Sequence, residues 1–180
     1  MSTIPDRIPS EEAFNRNKPP VTIRPASIDD LHEIAIIWIE GQVAQSCEPP
    51  DINQVLDVFR LRLESETKVY GIWVAEIEGV IAGWQSLHRC RANPLWNWAE
   101  SSTYISAQSR GRGVGRQLLA FATEHAKLVN LSHVVGFIIK GNEAPIKIVE
   151  SLGWQKVGSI PRSKPSDIEW LYYVYAVPHE

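Results

Sequence analysis

Cysteine is almost absent from this chain. Cys47 and Cys90 are the only two in 180 residues, and their separation fits neither a metal-ligand cluster nor a disulfide-stapled secreted scaffold. A reduced, cytoplasmic setting is therefore expected. No apolar run reaches the roughly 18 residues of a membrane span, and no basic n-region followed by an apolar h-region marks a secretory signal. Excess positive charge is missing too: the net charge is -3 and the pI is about 6.0, which argues against general affinity for nucleic acid. The histidines have no ligand partners at suitable spacing, so no metal is expected. His32 and His125 read as surface residues, and His133 opens a strand. Internal repeats and low-complexity tracts are lacking as well.

What is present suits one globular domain: 44% of residues are hydrophobic and 22% charged, enough for a single full core. Residues 1–20, with Pro5, Pro9, Pro19 and Pro20 among polar groups, read as a flexible arm, and 21–180 as the folded domain. A short strand is expected over 21–24. Ser27 with Asp30 three residues on makes a helix start, after which Leu31, Ile34, Ala35 and Trp38 share one face. Asn53 is a candidate cap for a second helix burying Leu56, Phe59 and Leu63. The period then changes to two, and 69–77 and 80–88, joined by Glu78-Gly79, read as a β-hairpin. A strand over 99–105 leads to a glycine-rich turn and a helix over 114–130 that buries Leu118, Leu119, Ala122 and Ala126. The apolar run 133–140 suits burial on both faces. A helix from Gly141-Asn142 stops at Gly153, and strands follow over 154–160 and 169–177. The element order is βααβββαβαββ.

The turn between 104 and 119, YISAQSRGRGVGRQLL, carries the strongest functional signal. Gly111, Gly113 and Gly115 remove Cβ atoms, so that successive N–H groups can line one concavity. A helix starting at Val114 adds unpaired amides and a dipole contribution of roughly 0.3–1 kcal/mol per anionic contact. Arg110, Arg112 and Arg116 add positive charge. A phosphorylated anion is the implied ligand, the alternative being a strand-to-helix turn that binds nothing. No Gly-Lys-Ser/Thr follows the glycines, as a Walker A loop requires, and from Gly111 or Gly113 the third glycine of a dinucleotide fingerprint falls on Arg116 or Leu118.

The pattern instead resembles the coenzyme A loop of the GCN5-related N-acetyltransferases (GNAT), Gln/Arg-x-x-Gly-x-Gly/Ala, with Arg110, Gly113 and Gly115 at its positions. NEAPIKIVESLGW, Asn142 to Trp154, is similar to the family's second signature, and the element order over 21–177 is the family's order. WAESSTYIS and SDIEWLYYVYAV are similar to segments of the phosphinothricin and methionine sulfoximine acetyltransferases. The resemblance implies an α/β (α+β) fold with a mixed, mostly antiparallel sheet of about seven strands flanked by four helices. It further implies acetyl-CoA as co-substrate, a small amine as acceptor, and possible homodimerisation. Pantetheine would lie along the backbone of Thr103, Tyr104 and Ile105, whose amides also polarise the thioester carbonyl. Asn142 falls where the family bonds the cofactor, and it equally suits a helix N-cap.

Acetyl transfer requires removal of the amine's proton. An ammonium of pKa about 10.4 is neutral in only about one molecule in 2,500 at pH 7. Glu100 matches the catalytic glutamate of the phosphinothricin-type enzymes, and Trp96 and Trp98 beside it could desolvate it. The other reading of Glu100 is a solvated strand-edge carboxylate. Where relatives carry Tyr or His as proton donor, this chain has Val149, leaving Tyr172, Tyr173, Tyr175 or a water as substitutes, or a thiolate that leaves unaided, a thiol of pKa about 8.5 being a tolerable leaving group. His88, Arg89 and Arg91 cluster where an acceptor carboxylate could be bound, with Trp98 nearby; solvated loop charge is the alternative. No Ser or Cys stands where an acyl intermediate is expected, Cys90 being a remote candidate. Two functional classes follow: an N-acetyltransferase working by direct attack, or a non-catalytic acyl-CoA sensor, the second favoured by Val149 and opposed by Glu100.

Overall fold

A computed structural model describes residues 19–44, 49–65, 67–90, 97–164 and 167–179. The arm expected over 1–20 lies almost wholly outside the described residues, as do Cys47, Arg91 and Trp96. Seven strands form one sheet: β1 (Val21–Pro25), β2 (Gly71–Ile77), β3 (Val80–Arg89), β4 (Trp98–Ile105), β5 (His133–Ile139), β6 (Gln155–Ile160) and β7 (Trp170–Ala176), in spatial order β1-β2-β3-β4-β5-β7-β6. Four α-helices cover it: α1 (Leu31–Val43), α2 (Ile52–Glu64), α3 (Val114–Leu128) and α4 (Glu143–Ser151). Every pairing is antiparallel except β4 with β5.

Local chemistry explains most boundaries. Glu78 and Gly79 both adopt positive φ, 53° and 79°, the geometry of a two-residue hairpin turn that matches strand twist. Ser27 and Asp30 form a capping box, although a 3-10 turn at Ile28–Asp30 precedes α1. At the end of α4, Gly153 has φ +85°, Gly153 N–H bonds to Glu150 O and Trp154 N–H to Val149 O, which is the Schellman pattern. The cap of α2 is Asp51, not Asn53: the Asp51 carboxylate accepts from the Asn53 backbone N–H at 2.7 Å. An Asp two residues before a free helical amide satisfies it better than an Asn already inside the first turn. Val55 and Phe59 are buried on that helix, with Leu56 and Leu63 at the margin.

Side chains alternate across the sheet and build a core on each face. Toward α3 and α4 lie Trp73, Leu87, Ala99, Leu119, Ala122, Val134 and Leu171. Toward α1 and α2 lie Ile34, Ala35, Phe59, Val74 and Trp84. Trp84 Nε1–H donates to Ile34 O at 3.1 Å, tying α1 to β3. His125, expected at the surface, is half-buried against the Trp73 ring at 4.7 Å. β5 is enclosed on both faces only from Val134 to Gly136; Phe137 is 41% exposed, because the strand has parted from β4 by that point.

Candidate active site

The parting of β4 and β5 creates the site. The strands share three parallel pairs, Trp98 with His133, Ala99 with Val134 and Glu100 with Val135. Beyond Glu100, β4 continues to Ile105 paired only with β3, while β5 continues to Ile139 paired with β7. A backbone edge therefore opens along β4 from Ser101 onward, and it includes Thr103, Tyr104 and Ile105. Glu100 stands at the apex of this wedge.

The mouth of the wedge leads into the glycine loop. A 3-10 turn at Ala107–Ser109, its first amide held by the Glu40 carboxylate of α1 at 3.1 Å, feeds Arg110 in extended conformation. Gly111 and Gly113 have φ +74° and +84°, with nothing within 4 Å of the position a Cβ would take. Gly113 is the left-handed N-cap of α3, so the amides of Val114, Gly115 and Arg116 have no acceptor within the helix. Gly115 is tighter, its ideal Cβ falling 3.6 Å from Ile105 and 3.7 Å from Ile148. Arg110 and Arg112 are exposed beside the loop. Arg116 instead reaches across to α4, where its guanidinium donates to Ser151 Oγ. Asn142 precedes α4 with no side-chain capping bond.

Around Glu100, β3 supplies the cross-strand partner. His88 Nε2 lies 3.5 Å from Glu100 Oε2, with the Glu100 side chain 27% exposed. Trp98 and His133 rings meet at 4.6 Å, and the Arg89 guanidinium sits 5.3 Å over the Tyr70 ring. Tyr172 faces the same side, and burial first, then the charges of Cys90 and Glu100, push its phenol above the usual tyrosine range. The other two tyrosines considered as donors are committed elsewhere: Tyr173 donates to Glu150 Oε1 at 2.9 Å, and Tyr175 stacks on Trp154. Val149 is 6% exposed within the core, and Cys90 is 4% exposed.

Residues 21–155 match the model of the acetyltransferase (GNAT) domain. The chain belongs to the GNAT acetyltransferase family. Its seven-stranded sheet and four helices are that family's architecture, and it is an N-acetyltransferase. It is 30% identical over 144 residues to the YwnH protein of Bacillus subtilis (strain 168), covering 78% of this chain and 88% of that one. It is 28% identical over 146 residues to the phosphinothricin N-acetyltransferase of Streptomyces viridochromogenes, covering 78% of each. Among solved structures, a GNAT superfamily phosphinothricin acetyltransferase from Sinorhizobium meliloti in complex with AcCoA superposes with a TM-score of 0.75 at 22% identity, covering 87% of this acetyltransferase and 88% of that chain.

Several supports of the GNAT site left little signal in the one-dimensional sequence. The salt-bridged triad of Arg24, Asp30 and Glu76 fixes β1 to β2 and to the start of α1. Gln85, fully buried, bonds Ser86 O, Ser101 Oγ and Thr103 Oγ1. Each depends on strand register, and in hindsight the one available clue was an amide side chain inside an otherwise apolar strand.

Proposed function

We propose that this N-acetyltransferase uses acetyl-CoA to acetylate the primary amine of a small acceptor, an amino acid or an analogue such as phosphinothricin or methionine sulfoximine, by direct attack in a ternary complex. The observation that carries the reading is Glu100 at the apex of the β4–β5 opening, with the glycine loop at the mouth of the same opening. The chain's groups fit the cofactor: Gly111 and Gly113 leave an open concavity, the first amides of α3 have no acceptor within the helix, and β4 offers an open backbone edge beyond Glu100. When bound, acetyl-CoA supplies an activated acetyl thioester.

Each residue then has a task. The amides of Val114, Gly115 and Arg116, with Arg110 and Arg112 beside them, hold the diphosphate. Thr103, Tyr104 and Ile105 bind the pantetheine arm through their backbone and orient a donor toward the reacting carbonyl. Asn142 bonds the arm from the α4 side, consistent with its uncommitted amide. Glu100 accepts the ammonium proton, directly or through water, and Tyr172 holds a proton at its phenol oxygen on the same side. Arg89 and Trp98 orient the acceptor. The burial of Cys90 supports transfer without a covalent intermediate. The same reading carries a cytoplasmic location and a homodimer, the latter checked by sedimentation.

Thiol release with a panel of amino acids tests it. Wild type should turn over, and Glu100→Gln should lower kcat/KM at pH 7 on the order of 10²-fold or more for amines of pKa near 10, and less for α-amino groups near 8. Tight acetyl-CoA binding without thiol release from any amine would establish the sensor function instead.

A further inference from the structure

The amide of Gln85 is oriented by its neighbours, and that orientation leaves one proton unassigned at the apex of the β4–β5 opening. Gln85 is 0% exposed on β3, opposite Thr103 of β4. Its Nε2 lies 2.8 Å from Ser86 O, and a backbone carbonyl can only accept, so that edge of the amide is the NH2. The same NH2 donates to Ser101 Oγ at 2.8 Å, while the Oε1 edge accepts from the Thr103 hydroxyl. The bonds run one way, from Thr103 through Gln85 to Ser101. Each donor in such a chain is strengthened by the bond its group accepts.

Ser101 ends the chain. Its oxygen receives the Gln85 N–H, and its own hydrogen meets no acceptor among the described residues. It is half-buried and is the first residue of β4 past the last pair with β5, Glu100 with Val135. Across the parting, β5 presents Gly136, whose ideal Cβ position is 3.8 Å from Ser101 O and 3.4 Å from the Trp154 ring. No side chain of Gly136 fills the apex, and an indole backs it. Successive residues of a strand face opposite sides, so Ser101 and Glu100 serve opposite faces of one apex. The proposed base thus projects away from the Ser101 hydroxyl, which suits Ser101 as a hydrogen-bond donor and not as a nucleophile.

We propose that Ser101 is a further catalytic residue of the transferase: its Oγ–H donates to the acyl oxygen of the donor thioester, and Gln85 is the positioning residue that aims it. The inference rests on the transferase reading, in which the pantetheine arm runs along β4 from the glycine loop and its acyl end comes nearest the apex. As the amine nitrogen bonds to the acyl carbon, the carbonyl π pair moves onto oxygen, where the Ser101 bond strengthens. The bond to sulfur then breaks, its electron pair leaving on sulfur. Of the two protons the ammonium sheds, Glu100 takes one and the sulfur receives the other. Ser101 keeps its own proton throughout and forms no covalent bond.

Ser101→Ala tests this by two readouts. With [1-13C]acetyl-CoA bound and no amine present, isotope-edited infrared spectra should place the acyl carbonyl stretch at lower wavenumber in wild type than in Ser101→Ala, because a donated hydrogen bond weakens the C=O bond. With an amine, kcat should fall on the order of 10²-fold while KM for acetyl-CoA moves less than about threefold, the pattern of an interaction made mainly in the transition state. Ser101→Thr keeps the hydroxyl and should restore the band and most of the rate. Gln85→Met leaves the hydroxyl in place but unaimed and should lose part of both. Where Ser101→Ala folds poorly because the Gln85 N–H lacks its acceptor, Ser101→Cys, with a similar shape and only a weak S–H donor, carries the same expectations. An unchanged band, or a kcat within about threefold of wild type, overturns the assignment and leaves the transferase standing. A band that shifts in the Ser101 variants of a protein that releases no thiol with any amine supports the Ser101 contact and removes the small-amine reading.

Discussion

Gly83→Ala probes whether the opened edge of β4 must hold its position to within a fraction of an ångström. Gly83 lies on β3 opposite Ile105, and a Cβ built there falls 2.7 Å from both Tyr104 O and Ile105 Cδ1, and 3.3 Å from Ile105 Cα. Ordinary carbon contacts begin near 3.5 Å, so one methyl must displace the neighbour by about 0.8 Å. Two of the three nearest atoms are backbone, which cannot swing aside as a side-chain tip can. Overpacking of this size costs about 1–3 kcal/mol, a fall in Tm of about 2–12 °C for a chain of this length. The displaced residues are the ones proposed to hold pantetheine, and misplacement by about 1 Å can cost about 10²-fold in rate. We therefore expect KM for acetyl-CoA to rise and kcat/KM to fall by about tenfold or more. Gly158→Ala is the control: it sits in a strand of the same sheet with nothing within 4 Å of its Cβ position. Scanning calorimetry and thiol release on both variants decide the matter. If Gly83→Ala matches Gly158→Ala within 1 °C and twofold in KM, the close approach does not govern the site and the reasoning fails.

Gly113→Glu should abolish acetyl-CoA binding in calorimetry by placing charge in the amide concavity, whereas Gly113→Ala, which suffers only the left-handed φ of +84°, should cost about 1–2 kcal/mol of stability and less affinity. Gly41→Ala should disturb the acceptor face, since its Cβ would meet the Tyr104 ring at 2.6 Å and break the bond from Gln42 Nε2–H to Tyr104 OH; near-UV circular dichroism checks it. Acid should destabilise the protein through Asp30. Arg24 holds its carboxyl at about 2, below the ordinary 3.8, so its stabilisation is present above about 3.8 and lost as pH falls toward 2. The loss is at most about 2 kcal/mol, and Asp30→Asn should flatten that part of the Tm-against-pH curve.

The parts of the fold that were legible in sequence are those written in local chemistry. Period-two and period-3.6 patterns located the strands and helices, Glu78-Gly79 announced a turn that needs two positive φ angles, and Gly153 announced a helix end. The glycine loop was legible for the same reason, because the positive φ found at Gly111 and Gly113 is one that glycine adopts without strain. Register was not legible. Nothing local says that Arg24 of β1 reaches both Asp30 and Glu76, nor that the pairing of β4 with β5 stops at Glu100. Asn53 misled because either of two neighbouring polar residues can cap a helix start, and only the backbone decides which side chain faces the orphan amide. At Val149 the sequence showed a missing proton donor, and the structure adds why Val is tolerated: the position is enclosed with Trp154 and Leu171 in the core.

Consecutive residues of β3 separate what holds this site up from what is left for a ligand. Gln85 points to the α3 face and is completely satisfied: its amide donates to Ser86 O and Ser101 Oγ, each at 2.8 Å, and its carbonyl accepts from Thr103. A closed network of this kind rigidifies the strand next to it. Ser86 points to the opposite face and is equally buried, yet its hydroxyl has no partner. Packing alone would favour alanine or valine at that position, because an unmade hydrogen bond in the interior is a net loss. The fold therefore gives up stability at Ser86 on the face that carries Glu100 and recovers some of it through the closed Gln85 network on the opposite face. That asymmetry is expected where one side of a strand meets substrate and the other braces it.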